Sequence, residues 1–159
     1  MISDSIIIIP TYNEIENIEN IIRAIFSLEK AFEVLVIDDG SPDGTADAVK
    51  GMIATEFPDR LHIIEREGKL GLGTAYITGF KWALERGYEY IFEMDADFSH
   101  DPKDVPRLYA ACAEEGYDLA IGSRYVSGVN VVNWPIGRVL MSYFASKYVR
   151  FITGFKVND

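Results

Sequence analysis

Short apolar runs at residues 6–9, 34–37, 61–64, 90–94 and 119–121 alternate with helical patterns, and that alternation leaves few folds open. Runs of three or more consecutive apolar residues suit strands buried on both faces. The expectation is therefore an α/β sandwich of three layers, with a mostly parallel central sheet and helices on each side. The first helix is the clearest: Asn13 can cap it, Glu16 completes a capping box, and Ile15, Ile18, Ile21, Ile22, Ile25 and Phe26 form one apolar stripe. In such sheets ligands bind beyond the carboxyl ends of the strands. The polar stretches at 10–14, 38–44, 95–100 and 122–125 each follow an apolar run, so four loops should converge on one edge. No repeat, linker or low-complexity tract interrupts the 159 residues, which read as a single domain, 1–159.

Composition narrows the partners. A formal net charge of −10 argues against nucleic acid, whose binding rests on neutralising phosphates with Lys and Arg. The lone cysteine, Cys112, excludes a disulfide within the chain, reads as a small residue of a helix core, and fits a reducing, cytoplasmic setting. No apolar run approaches the ~18 residues of a spanning helix.

Asp95-Ala96-Asp97 follows the apolar run 90–94, and two carboxylates two residues apart in extended chain point to the same side. A hard divalent cation takes oxygen ligands and keeps open positions for substrate phosphates, so the pair suits a metal clamp (Mg²⁺ or Mn²⁺) on a diphosphate. The plainer reading is that Asp101 and its neighbours cap a helix opening at Pro102. Near the first two strand ends, Pro10 fixes the exit of the strand, Tyr12 can stack on a base, and Glu14 or Asp39 can accept hydrogen bonds from ribose hydroxyls or a base edge. Asp38 and Asp39 also stand in Asp-Gly-Ser-Pro-Asp-Gly, which is dense in turn formers, and the two readings are compatible.

Gly68-Lys69-Leu70-Gly71-Leu72-Gly73 invites two assignments and fits neither. A P-loop needs Ser or Thr directly after Gly-Lys, where Leu70 stands, and a dinucleotide fingerprint needs Gly or Ala at 76, where Tyr76 stands. The segment is expected to be a tight turn feeding a helix that begins near Leu72, with Lys69 either near the bound nucleotide or a solvated loop charge.

The last third carries a different charge. From 124 to 156 there is no Asp or Glu, while Arg124, Arg138, Lys147, Arg150 and Lys156 give +5, so the rest of the chain carries −15. Aromatic and apolar residues, Trp134, Tyr143, Phe144, Tyr148 and Phe151 among them, interleave with these cations. That pattern suits peripheral contact with an anionic membrane, or a core helix with a solvated basic face. Arg138 and Ser142 are spaced i, i+4 after Pro135, and Arg124 ends the fifth apolar run, so two guanidinium groups and a hydroxyl can enclose a phosphate monoester.

Five ordered segments carry a family likeness: Ile-Ile-Pro-Thr-Tyr-Asn-Glu at 8–14, Val-Ile-Asp-Asp-Gly-Ser-Pro-Asp-Gly-Thr at 36–45, Gly-Leu-Gly-Thr-Ala at 71–75, Asp-Ala-Asp-Phe-Ser-His at 95–100 and Gly-Ser-Arg-Tyr at 122–125. Together they resemble family 2 glycosyltransferases of the GT-A (Rossmann-like) fold, and within these the polyprenol (dolichol) phosphate mannosyltransferases. The resemblance implies that Pro10, Tyr12, Glu14 and Asp39 line the donor pocket, beside which the loop reading sets Lys69, and that Asp95, Asp97 and Ser99 hold the metal on the donor diphosphate. It implies that Arg124, Arg138 and Ser142 hold the phosphate of a polyprenyl phosphate acceptor. The family carries Gln or Ser where Ser99 stands. His100 matches a motif position where supporting the metal loop is its expected role, and His62 reads as a packed or edge residue of the third strand.

The reaction so implied is transfer of a hexose, mannose from GDP-mannose favoured over glucose from UDP-glucose, to a polyprenyl phosphate at the cytoplasmic face of a membrane. A phosphate monoester is already ionised near neutral pH, so no general base is required, and Asp95, Asp97, Arg124 and Arg138 act as electrostatic clamps while the anomeric centre inverts. Two rivals differ in class. A phospho-receiver module places its acidic pair on the first strand, whereas Asp38-Asp39 ends the second. A non-catalytic nucleotide-binding module stays open, because the resembled enzymes continue with an Asp-x-Thr-Ser-Gly-Phe-Arg stretch and this chain stops where that would begin, as a truncated chain would.

Overall fold

The computed structural model describes residues 2–123 and 135–154, apart from the side chain of Arg138. The chain divides into two compact units, Met1–Asp118 and Leu119–Asp159.

In the first unit, β1 (Ser5–Thr11), α1 (Ile18–Phe26), β2 (Glu33–Asp38), α2 (Thr45–Thr55), β3 (Leu61–Glu65), α3 (Leu72–Glu85), β4 (Tyr90–Glu93) and α4 (Val105–Ala113) follow in order, with one 3₁₀ turn at Pro102–Asp104. The four strands lie in the order β3-β2-β1-β4 and every pairing is parallel. Alternate residues of each strand feed opposite faces. Ile7, Ile9, Val34 and Val36 pack with α1, α2 and Val105 of α4, whereas Ile6, Ile8, Leu35 and Ile37 pack with Ala75 and Ala83 of α3. The three expected layers are thereby present, with the isoleucines of β1 wholly enclosed between them.

Pro10 sits inside the central strand β1 rather than at its exit, a place where proline usually breaks a ladder. The register explains its tolerance. The amide of Met94 donates to the carbonyl of Ile8, so the missing N–H of Pro10 faces the β4 side, and β4 has already ended opposite Ile8.

At the amino ends of the strands a single buried carboxylate gathers several partners. Glu33 is 1% exposed and accepts from the amides of Ile2 and Ser3, from the Tyr88 hydroxyl at 2.6 Å, and hydrogen-bonds His62 Nε2 at 2.9 Å. It therefore ties together the approach to β1, the start of β2, β3 and the approach to β4. At the same end Asp4 receives Lys30 at 2.9 Å and the Tyr109 hydroxyl at 2.8 Å.

Three local expectations need correction. Helix α1 begins at Ile18, not after Asn13: a turn on the Glu14 carbonyl precedes it, Asn13 is in left-handed backbone (φ 63°), and Ile15 is exposed. No side chain caps α1, because the Asn13 amide is held by Ser41 and the chain is committed to the neighbouring loop before it can wind. Residues 119–121 are not a strand, and Leu119 and Ile121 are exposed. Three apolar residues without a paired edge do not offset the conformational entropy of extension. Strand β4 stops at Glu93, so Ala96 and Asp97 belong to a turn and not to the extended chain.

In the second unit, α5 (Ile136–Thr153) runs for 18 residues and ends at Gly154 in left-handed backbone (φ 74°). Ile136, Leu140, Met141, Phe144, Tyr148, Phe151 and Ile152 are exposed along it, and Lys147 Nζ lies 4.7 Å from the centre of the Tyr143 ring. Among the described residues no helix is long and apolar enough to cross a membrane.

Candidate functional site

The strand order reverses between β1 and β4. That places the loops after β3, β2, β1 and β4 side by side along the carboxyl edge, with the crevice of such a sheet beside β1.

The loops after β1 and β2 are sewn together. The amides of Asn13, Glu14 and Ile15 donate to Ser41 Oγ (3.0 Å), Thr45 Oγ1 (3.0 Å) and Asp43 Oδ2 (3.1 Å). Asp38 is the turn former that its surroundings suggest: buried, it accepts from the Thr11 hydroxyl and from both the amide and hydroxyl of Ser41. Glu14 Oε2 accepts from Asn17 at 3.2 Å and keeps its carboxylate at the surface of the same loop.

Asp39 is held by a residue that the sequence reading passed over. Arg66, one residue beyond β3, pairs with Asp39 Oδ1 through Nε at 2.6 Å and through Nη2, and both side chains are nearly enclosed. The same guanidinium donates to Thr74 Oγ1 (2.8 Å) and to the carbonyl of Gly71 (3.3 Å), while Leu70 N–H donates to Asp39 Oδ2 at 3.2 Å. The loop 66–71 is thus folded over Asp39. Gly40 makes the fit possible: its φ is +69°, and a Cβ there would lie 3.3 Å from Gly68 Cα. As expected, this loop feeds a helix starting at Leu72. Its Lys69 is brought to Tyr12, with Nζ 4.4 Å from the ring centre, a cation–π distance. A strand-end cation facing an acidic loop was the signal available for Arg66.

Beyond β4, Asp95 is half-buried and Asp97 exposed. The Asp95 amide donates to His100 Nδ1 at 3.2 Å, so His100 supports this loop as its motif position implies. Asp97 Oδ1 accepts the Ser99 amide at 2.9 Å, and hydrogen bonds from the Ser99 side chain and amide hold the Asp97 carboxyl below the usual range. Phe98 between them adopts left-handed backbone (φ 59°), uncommon for an aromatic residue. Asp101 does cap the 3₁₀ turn, accepting from the Lys103 amide, so the capping reading holds for Asp101 and not for the pair before it. Tyr76, in the position that excluded the dinucleotide fingerprint, donates its hydroxyl towards Asp95 Oδ1 at 3.4 Å. Burial first, then the negative charges of Asp95 and Glu93, push the Tyr76 phenol up, which keeps it a donor.

Among the described residues no cluster of three or more His, Cys, Asp or Glu could hold a metal ion. Asp95, Asp97 and Ser99 offer oxygen atoms only, the donor type that hard divalent cations take. Ser142 lies half-buried on α5; Arg124 and the Arg138 side chain lie outside the described residues.

Comparison with known proteins agrees with the geometry. The profile of glycosyl transferase family 2 matches residues 6–157. The chain is 48% identical over 155 residues to polyprenol monophosphomannose synthase of Mycolicibacterium smegmatis, covering 98% of this chain and 58% of that protein. It is 47% identical over 152 residues to undecaprenyl-phosphate mannosyltransferase of Micrococcus luteus, covering 96% and 61%. It thus spans about three fifths of the length of either relative. Glucosyl-3-phosphoglycerate synthase from Mycobacterium tuberculosis, solved with Mn²⁺, uridine diphosphate and glucosyl-3-phosphoglycerate, shares the fold: TM-score 0.58 and 20% identity, over 94% of this chain and 50% of that one. Sheet, loops and sequence lead to one assignment: the chain belongs to glycosyltransferase family 2.

Proposed function

We propose that this protein transfers a hexose, mannose from GDP-mannose, to the phosphate of a polyprenyl (dolichyl) phosphate with inversion. The observation that carries this is the set of loops at the carboxyl edge, Tyr12 with Lys69, Asp39 with Arg66 and Asp95 with Tyr76, in a chain 48% identical to a polyprenol monophosphomannose synthase.

In this reading the nucleoside lies across the loops after β1 and β2. Tyr12 offers a ring to the base, while Glu14 and Asp39 accept from its hydroxyls or base edge. Lys69, over the Tyr12 ring, is assigned to the donor diphosphate. Asp95 and Asp97, with Ser99, would hold a divalent ion, which when bound supplies positive charge to the departing diphosphate. Arg124, Arg138 and Ser142 are assigned to the acceptor phosphate. An oxygen of that phosphate attacks the anomeric carbon in line, a new C–O bond forms, the bond between the anomeric carbon and the β-phosphate oxygen breaks, and the nucleoside diphosphate leaves with that electron pair. No side chain has to remove a proton, because the nucleophile is already an anion. We further assign α5 and its flanking cations to peripheral contact with an anionic lipid surface.

The test is thermal-shift and calorimetric titration with GDP-mannose, UDP-glucose, GDP and UDP, with and without Mg²⁺ or Mn²⁺, followed by a radiolabelled transfer assay onto a short polyprenyl phosphate. Metal-dependent binding and transfer are expected to favour GDP-mannose. Preference for UDP-glucose would move the reading to a glucosyltransferase, and the absence of binding to any of the four would overturn it. Asp97→Asn should lower the Mn²⁺-dependent affinity for GDP at least about tenfold, the usual scale for disturbing a metal site. Unchanged Mn²⁺ dependence would remove Asp97 from the site.

A further inference from the structure

We infer that Arg66 is a positioning residue for the donor pocket: it sets both Asp39 and the loop that lays Lys69 over Tyr12. The inference rests on the proposed nucleotide site and goes beyond it, because Arg66 itself is enclosed and its guanidinium is spent on protein partners.

Three contacts define its work. Nε and Nη2 grip Asp39 Oδ1, Nη1 reaches Thr74 Oγ1 at 2.8 Å, and Nη2 also reaches the Gly71 carbonyl at 3.3 Å. Asp39 is thereby fixed from one side, and its second oxygen is aligned by the Leu70 amide. The backbone of Arg66 is pinned as well, its amide donating to the Asp38 carbonyl at 2.8 Å. Residues 67–70 therefore form a short bridge with Arg66 at one foot and Gly71–Thr74 at the other. Lys69 is near the crown of that bridge, 4.4 Å from the Tyr12 ring. Lysine cannot replace this guanidinium: a single ammonium can meet Asp39, but it lacks the planar fork that spans Asp39, Thr74 and Gly71 together. With the fork lost, the crown is free to leave Tyr12, and one ring face loses its cation.

Lys69 gives a readout that a merely structural Arg66 would not move. The experiment measures the Kd of GDP in the presence of Mn²⁺ by calorimetry, for the wild type, Lys69→Ala, Arg66→Gln, Arg66→Lys and the double variant Arg66→Gln/Lys69→Ala. Unliganded melting temperatures identify which variants are folded. Losing one hydrogen bond to a charged group corresponds to roughly tenfold in Kd. Arg66→Gln and Lys69→Ala should each weaken GDP about tenfold or more, and Lys69→Ala should add little in the Arg66→Gln background. Arg66→Lys should remain folded and bind between wild type and Arg66→Gln. Should Arg66→Gln fail to fold, Arg66→Lys/Lys69→Ala replaces the double variant.

Equal losses from Lys69→Ala in both backgrounds would overturn the inference, as would no loss from Lys69→Ala in the wild type or from Arg66→Gln alone. A wild type that binds no nucleoside diphosphate would instead sink the site on which the inference stands.

Discussion

Asp4 shows how far a single group can be moved by its neighbours. Burial acts to raise its carboxyl, but hydrogen bonds from Ser5, Lys30 and Tyr109 outweigh it and bring the carboxyl down from 3.8 to about 2. A carboxyl depressed by folding stabilises the folded state above its unfolded value and loses that contribution as pH falls through its folded one. The window is therefore about pH 3.8 down to about 2. Asp4→Asn should flatten the fall of melting temperature across that window while leaving the rest of the acid limb in place. A parallel fall in both proteins would place the acid sensitivity elsewhere. Among the candidate site residues, Tyr12, Asp39, Lys69 and Asp95 announce themselves by chemistry and by their place near a strand end. Arg66 and Tyr76 did not, because their work is done on other side chains, and only three-dimensional adjacency shows it.

Elements were legible where the apolar pattern is long and strict, and less so where a tertiary contact decides. The stripe of α1 was correct from Ile18 to Ile25, yet its start was set by Ser41 and Asp43 of another loop and by Thr45 at the head of α2, which no local capping pattern could reveal. Close packing of α3 on β1 is a second such contact. A Cβ on Gly79 would lie 2.7 Å from Ile8 Cγ2 and 2.8 Å from Cδ1, and Ile8 is fully buried with no direction in which to yield. Gly79→Ala should therefore cost about 1–3 kcal/mol despite its better helix propensity, as overpacking commonly does. Pairing it with Ile8→Val, which removes the Cδ1 methyl, should recover part of that loss. Thermal unfolding measures both, and a neutral Gly79→Ala would mean that helix and sheet can part without cost.

At the scale of the molecule, charge was the feature read most directly. The −15 of most of the chain and the +5 of 124–156 mark two electrostatic regions, and the proposed membrane contact belongs to the second. Flotation with anionic vesicles should capture the protein, the capture should fall with added salt, and Lys147→Glu with Arg150→Glu should reduce it, since surface charge is screened over about 10 Å at 0.1 M salt. Equal capture by neutral vesicles would remove the electrostatic account. The sheet itself shows a second polarity, lengthwise. Glu33 fastens the amino ends, so Glu33→Ala, which leaves buried donors without an acceptor, should cost about 3 kcal/mol and some 6–12 °C of melting temperature. GDP affinity of the folded protein should stay as it was, and a fall with Glu33→Ala would show that the two ends are coupled.

The Glu33 fastening also bears on how such a chain can change over evolutionary time. Its partners, Ile2, Ser3, His62 and Tyr88, share no residue with the loops at the other end. Exchanges at 12–14, 39–43 or 67–70 can be sampled while the anchor of the scaffold stays whole. A lineage built on this sheet is thus free to vary these interlocked loops together, with each trial starting from a scaffold whose far end stays fastened.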